Sequence, residues 1–225
     1  MHKNILRRLY ANAFIATIIN YWINPPSMSE KLPEKKDRKL ALVLIDVQRK
    51  FTGGNISEKN NTKAIETINN VAAMFRNNDR PVIFVYYDGP CHCSAYDKDD
   101  GDEYLHGIMS DPKDIIVHKD GMNSFLGSRL ADVIKECGCD SILLAGMVTQ
   151  YCVLGTYYGA FDHSISPHLL RGGTISTLDK FNEAACSLCS TFTLEEIEEN
   201  LRTTKIRWPA YISGSEHQRC DVTGQ

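Results

Sequence analysis

Short, unbroken apolar runs separated by amphipathic stretches are the most regular feature of the chain. Leu40-Ala41-Leu42-Val43-Leu44-Ile45 is the first, followed by Pro81-Val82-Ile83-Phe84-Val85-Tyr86-Tyr87, the shorter Ile115-Ile116-Val117, and Ser141-Ile142-Leu143-Leu144-Ala145-Gly146. A run without polar alternation reads as a strand buried on both faces, the mark of a parallel sheet covered by helices above and below. Two intervening stretches carry the helical period: Ile65, Ile68, Val71, Ala72 and Phe75 form one stripe, and Leu126, Leu130, Val133 and Ile134 another. Strands alternating with helices require right-handed crossovers. The predicted fold class is therefore α/β, a doubly wound, Rossmann-like parallel sheet of about five to six strands with helices on both faces in three α/β/α layers.

Ligands of such sheets bind beyond the C-terminal strand ends. Asp46 closes the first run, Lys119 follows the third, and Cys152 stands just after the fourth, where it is expected to open the next helix. Residues 88–114 are rich in Asp and Gly and contain Cys91, His92, Asp97, Asp99, Asp100, Asp102 and His106, a composition and length that suit a binding loop or lid.

The first 29 residues carry Lys3, Arg7 and Arg8 and no acid before Glu30, with Leu6, Leu9, Tyr10, Phe14, Ile18, Tyr21 and Trp22 near one helical stripe. Asn12, Asn20 and Asn24 interrupt a stretch that would need about 20 mostly apolar residues to cross a bilayer. The segment resembles an organellar presequence, and Met28 is an alternative start. The organisation expected is an N-terminal extension over 1–29, a charged, solvated linker over 30–39, and a catalytic domain over 40–225.

Charge and cysteine usage narrow the classes further. With 25 Lys and Arg against 28 Asp and Glu, the net charge of −3 supplies no field for nucleic acid phosphates. Neither a nucleic acid nor a membrane partner is expected. The eight cysteines fall unevenly and do not read as a disulfide framework, which points to a reducing intracellular compartment, cytoplasmic or organellar according to the N-terminal segment. Cys91 and Cys93 with Cys186 and Cys189 would make a poor zinc site, because the first pair lacks the usual spacer. Cys137, Cys139, Cys186 and Cys189 read as ordinary packing thiols.

Three ordered motifs then stand out: Asp46-Val47-Gln48-Arg49-Lys50-Phe51, Lys119 with Asn123 and Phe125, and Gly146-Met147-Val148-Thr149-Gln150-Tyr151-Cys152-Val153. Together they resemble the isochorismatase-like cysteine hydrolase superfamily, from about Leu40 to the helix near Ala160, with a poor match after residue 163. From the residues alone, a thiol at a helix start is favoured as thiolate, a carboxylate at the end of an apolar strand can exchange its proton, and an ammonium beside both steadies the charges. The resemblance implies that Cys152 is the nucleophile with Asp46 and Lys119 as catalytic partners. It also implies that the Met147–Val148 peptide bond is cis, and that the backbone N–H groups of Val148 and Cys152 form the oxyanion hole.

Gln48 is expected as support, with Phe51, Phe125, Tyr151 and Tyr157 as an aromatic substrate lining. The implied activity is hydrolysis of an amide, carbamoyl or ureido C–N bond of a small molecule through a thioester, by a homo-oligomer without cofactor. A branch that cleaves isochorismate lacks the cysteine, so Cys152 favours the C–N bond. Nicotinamidases of the superfamily place Asp-Trp-His after the second strand; here Tyr87-Asp88-Gly89-Pro90 stands instead, and no catalytic metal is expected despite His92 and His106. Nicotinamidase or isochorismatase activity, or a non-catalytic or redox-sensing role, remain the alternatives. The strand after the catalytic helix usually ends in Asp-Ala, whereas Pro167-His168-Leu169-Leu170-Arg171-Gly172-Gly173 carries no acid, and Arg171 there could meet an anion.

Overall fold

The computed structural model describes residues 35–52, 56, 61–89 and 103–205. The N-terminal extension, Met28, and the loop residues Cys91, His92, Cys93, Asp97, Asp99, Asp100 and Asp102 lie outside the described residues.

All four apolar runs are strands: β1 (Leu40–Ile45), β2 (Val82–Tyr87), β3 (Ile115–Lys119) and β4 (Ser141–Met147). Two more follow, β5 (Ser166–Ile175) and β6 (Thr191–Phe192), giving a six-stranded sheet of order β3-β2-β1-β4-β5-β6 in which every pairing is parallel. The chain winds outward in both directions from the adjacent pair β1 and β4, so the topological switch point lies at their C-terminal ends. Successive residues of β1 face opposite layers, as the pleat requires. Ala41, Val43 and Ile45 join one apolar cluster and Leu40, Leu42 and Leu44 the other.

The helices divide between those clusters. The predicted stripe of α1 (Thr62–Asn77) is wholly buried, and it packs in one layer with Ile197 and Leu201 of α5 (Leu194–Thr203). The opposite layer receives Leu130, Val133 and Ile134 of α2 (Leu130–Glu136), Tyr157 and Ala160 of α3 (Leu154–Asp162), and Ala185 of α4 (Asp179–Leu188). Among the described residues, no helix is long and apolar enough to cross a membrane.

Three expectations are corrected. Leu126 does not belong to the second stripe: it is 70% exposed, and α2 starts only at Leu130. The Asn123 side chain takes the Phe125 N–H and the Ser128 hydroxyl takes the Leu130 N–H, local bonds that compete with helix formation. The end of the presumed solvated linker is exposed but docked, because Lys35–Asp37 forms a short 3-10 turn whose Lys35 and Arg38 carbonyls accept from the Asn200 amide on α5 at 2.8 Å each. Residues 167–173 are the middle of β5. Its pairing with β4 shifts register between Leu144 and Gly146, and Gly172 takes φ +78, so the Arg-Gly-Gly interruption is a bulge within a strand. Arg171 there is exposed and donates to the Thr191 hydroxyl at 3.2 Å.

Candidate active site

At the end of β1 the backbone of Asp46 turns into the left-handed region (φ +48), with its N–H still donating to Val85 O on β2. Beside it on β4, Gly146 pairs with Ile45 at φ +106, and a Cβ at that position would stand 2.2 Å from Ile45 O. Only glycine lets the two strand ends approach so closely. The next peptide bond, Met147–Val148, is cis, as expected. The chain then enters a π turn over Thr149–Val153 before α3 begins at Leu154, so Cys152 sits inside this wider turn and does not itself open the α-helix. The Tyr151 and Val153 N–H groups both fold back onto Val148 O.

Lys119 ends β3, which lies two strands from β1, and its long side chain spans β2 to put Nζ 2.9 Å from Asp46 Oδ2. The side chains of Lys119 and Asp46 are 0% and 1% exposed. The ammonium also donates to Met122 O at 3.3 Å and lies 5.9 Å from the centre of the Tyr87 ring. Tyr87 is itself braced from below: Gln48 Nε2 donates to its carbonyl at 3.2 Å, and its N–H donates to Gln48 Oε1 at 2.8 Å. Gln48 thereby ties the Asp46 loop to the end of β2.

The Cys152 thiol, 8% exposed, feels the charges of both Asp46 and Lys119. Burial and the adjacent Asp46 charge push the thiol up to about 12, against the opposing pull of Lys119. Desolvation thus opposes the thiolate that a helix start would favour. Burial also raises the Asp46 carboxyl above its ordinary range, with Lys119, the Cys152 thiol and Lys50 pulling it back.

Lys50 is a residue the sequence reading passed over. It is buried, with Nζ 5.8 and 5.4 Å from the ring centres of Tyr86 and Tyr87. Its signal was faint, a lysine inside the short 3-10 turn Arg49–Phe51 that follows the Asp46 loop. A second missed group is the buried pair Ser124 and Thr156, whose hydroxyls lie 2.7 Å apart and clip the loop after β3 to α3. Gly159 on the same helix presses on the Asn123 side chain.

The four expected lining residues separate. Phe51 is half-buried and tilted against Tyr87 at 5.5 Å. Phe125 is buried, stacked on His163 at 4.9 Å, in the same apolar cluster as Cys152. Tyr151 is 55% exposed, and the buried Tyr157 hydroxyl accepts from Ser190 N–H at 2.9 Å. Over the Asp46 loop lies the far end of the acidic segment, where Tyr104 bridges Gln48 and Arg49 pairs with Glu103 at 3.1 Å. His106 is exposed, and among the described residues no three His, Cys, Asp or Glu side chains are grouped as metal ligands would be. A depression of about 640 Å³ between α1, β5 and α4 is lined by none of the three site residues.

Fold and site together define a doubly wound α/β protein with a buried thiol, carboxylate and ammonium gathered at its switch point. The isochorismatase domain profile matches residues 40–195, and the chain belongs to the isochorismatase family. A Bacillus subtilis protein, the uncharacterized isochorismatase family protein YrdC, is 28% identical over 140 residues, covering 61% of this chain and 74% of that protein. N-carbamoylsarcosine amidase from Thermoplasma acidophilum superposes with a TM-score of 0.59 at 20% identity, over 69% of this chain and 95% of that one. Pyrazinamidase of Pyrococcus horikoshii, solved in complex with zinc, superposes with a TM-score of 0.56 at 21% identity, over 76% and 99%. The profile match reaches well past residue 163, through β5, α4 and β6, where the motifs had given little to recognise.

Proposed function

We propose that the chain is a cysteine-dependent hydrolase cleaving an amide, carbamoyl or ureido C–N bond of a small molecule through a thioester. The observation that carries the reading is one buried thiol under the electrostatic influence of a buried carboxylate and a buried ammonium that lie 2.9 Å apart. In this reading Asp46 takes the Sγ proton as sulfur bonds to the substrate carbonyl carbon. Lys119 balances the negative charge that Asp46 and the sulfur carry between them.

The family resemblance assigns the backbone N–H groups of Val148 and Cys152 to the developing oxyanion, while those of Tyr151 and Val153 donate to Val148 O. Collapse of the adduct breaks the C–N bond, and the departing nitrogen takes the proton from Asp46. Water then attacks the thioester with Asp46 again as base, releasing the acid and restoring the thiol. The similarity in fold to two amidases supports a C–N bond as the target.

A screen for ammonia release over small primary amides, carbamoyl and ureido compounds tests the reading. Any activity found should fall by on the order of 10⁴ or more in Cys152→Ala, with the unfolding transition nearly unchanged. Undiminished turnover in that variant would remove Cys152 from the chemistry.

A further inference from the structure

Cys186 and Cys189 stand at the last turn and the C-cap of α4, and neither takes part in the chemistry proposed above. Cys186 is half-buried and lines the open depression of about 640 Å³, together with Lys63 and Arg171. Among the described thiols it is the one that is not fully buried. Cys189 is buried at the helix end, in the same apolar cluster as Tyr157 of α3. The following N–H, of Ser190, donates to the Tyr157 hydroxyl at 2.9 Å. The turn after α4 is therefore tied to the helix that continues from Cys152.

Residues three apart on a helix hold their Cβ atoms about 5–6 Å apart. A disulfide requires about 3.5–4.5 Å, so closure asks for an approach of about 1–2 Å. The movement falls on Cys189, whose backbone (φ −109, ψ 155) has already left the helical region, while its N–H to Ala185 O bond at 2.9 Å can remain. We propose that Cys186 and Cys189 form a reversible oxidation site, which a hydroperoxide converts to an intrahelical disulfide that breaks the adjoining tie from Ser190 N–H to the Tyr157 hydroxyl.

The steps balance with the hydroperoxide as the sole oxidant. Cys186 sulfur attacks the terminal peroxide oxygen, the O–O bond breaks, and the leaving alkoxide takes the thiol proton to depart as the alcohol. Cys189 sulfur then attacks the Cys186 sulfenic acid, the S–S bond forms, the S–O bond breaks, and water leaves with the Cys189 proton. Two thiols lose two electrons and two protons, and the hydroperoxide is reduced to alcohol and water.

The test treats the full chain with hydrogen peroxide, alkylates the remaining thiols under denaturing conditions and maps the peptides. The peptide holding Cys186 and Cys189 should be lighter by two hydrogen atoms, carry no alkyl group, and become doubly alkylated after dithiothreitol. In Cys189→Ser, Cys186 should instead be trapped by dimedone as the sulfenic acid. Amide exchange of α3 should rise several-fold in the disulfide form, because the tie to Tyr157 is lost. Recovery of Cys189 alkylated while Cys186 gains oxygen, or of both thiols alkylated, would overturn the site. Unchanged exchange of α3 in a proven disulfide would overturn its connection to that helix.

Discussion

Removing the charge of Lys119 isolates the effect on which the whole site depends. In Lys119→Met the volume is nearly kept, but the Asp46 carboxylate, 1% exposed and 2.9 Å from the lost ammonium, stays in an apolar surround. Breaking one side of a buried pair costs about 3–5 kcal/mol, because the remaining charge keeps its desolvation penalty. The carboxyl can lower that penalty by taking a proton. Burial already raises it above the ordinary range, and Lys119 is the largest influence holding it down, so it rises further in the variant. A carboxyl raised in the folded state supports folding below its unfolded value and loses that support as pH climbs through the folded one.

Lys119→Met should therefore be most destabilised near neutral pH and recover as the solution is acidified. Urea unfolding of the wild type, Lys119→Met, Asp46→Asn and the double variant, each across a range of pH, reads this directly. Asp46→Asn in the Lys119→Met background should restore most of the loss, a strong positive coupling in the cycle. Equal losses at every pH, or simple additivity of the two substitutions, would show that the ion pair is not the buried unit described here.

Iodoacetamide should modify Cys152 far more slowly than an exposed thiol at pH 8, with a rate still climbing at pH 10, since burial and Asp46 push the thiol up to about 12; a plateau near neutral pH would contradict this. His168 on β5 is pushed down to about 4 by burial and by Arg38 and Lys35, against 6.5 for an ordinary imidazole, with Glu196 and Asp140 opposing. The unfolded chain thus binds a proton that the folded chain refuses, and about 3 kcal/mol of stability should be lost between pH 6.5 and 4, a slope that His168→Gln should flatten in unfolding titrations. Gly146→Ala should cost more than about 2 kcal/mol, because its Cβ would meet Ile45 O at φ +106; chemical denaturation with an unchanged midpoint would refute that close approach.

Much of this protein could be read from spacing along the chain. Unbroken apolar runs such as Leu40–Ile45 announce strands buried on both faces whatever their neighbours, because solvation acts residue by residue. The stripe Ile65, Ile68, Val71, Ala72 and Phe75 was legible for the same reason, and so were Asp46, Lys119 and Cys152 as groups placed at or just beyond strand ends. Tertiary structure decided what depends on distant partners. The full extent of β5 was hidden because its Arg-Gly-Gly bulge breaks the apolar run, and its pairing with β4 supplies what the local pattern lacks. Leu126 left its stripe because the hydroxyls and amides around it bind the backbone first. The protonation of Cys152 could not be read from a helix start, since it follows from how much water the folded walls exclude and from the Asp46 and Lys119 charges brought in from β1 and β3. Periodicity is local, whereas desolvation and charge pairing are properties of the packed whole.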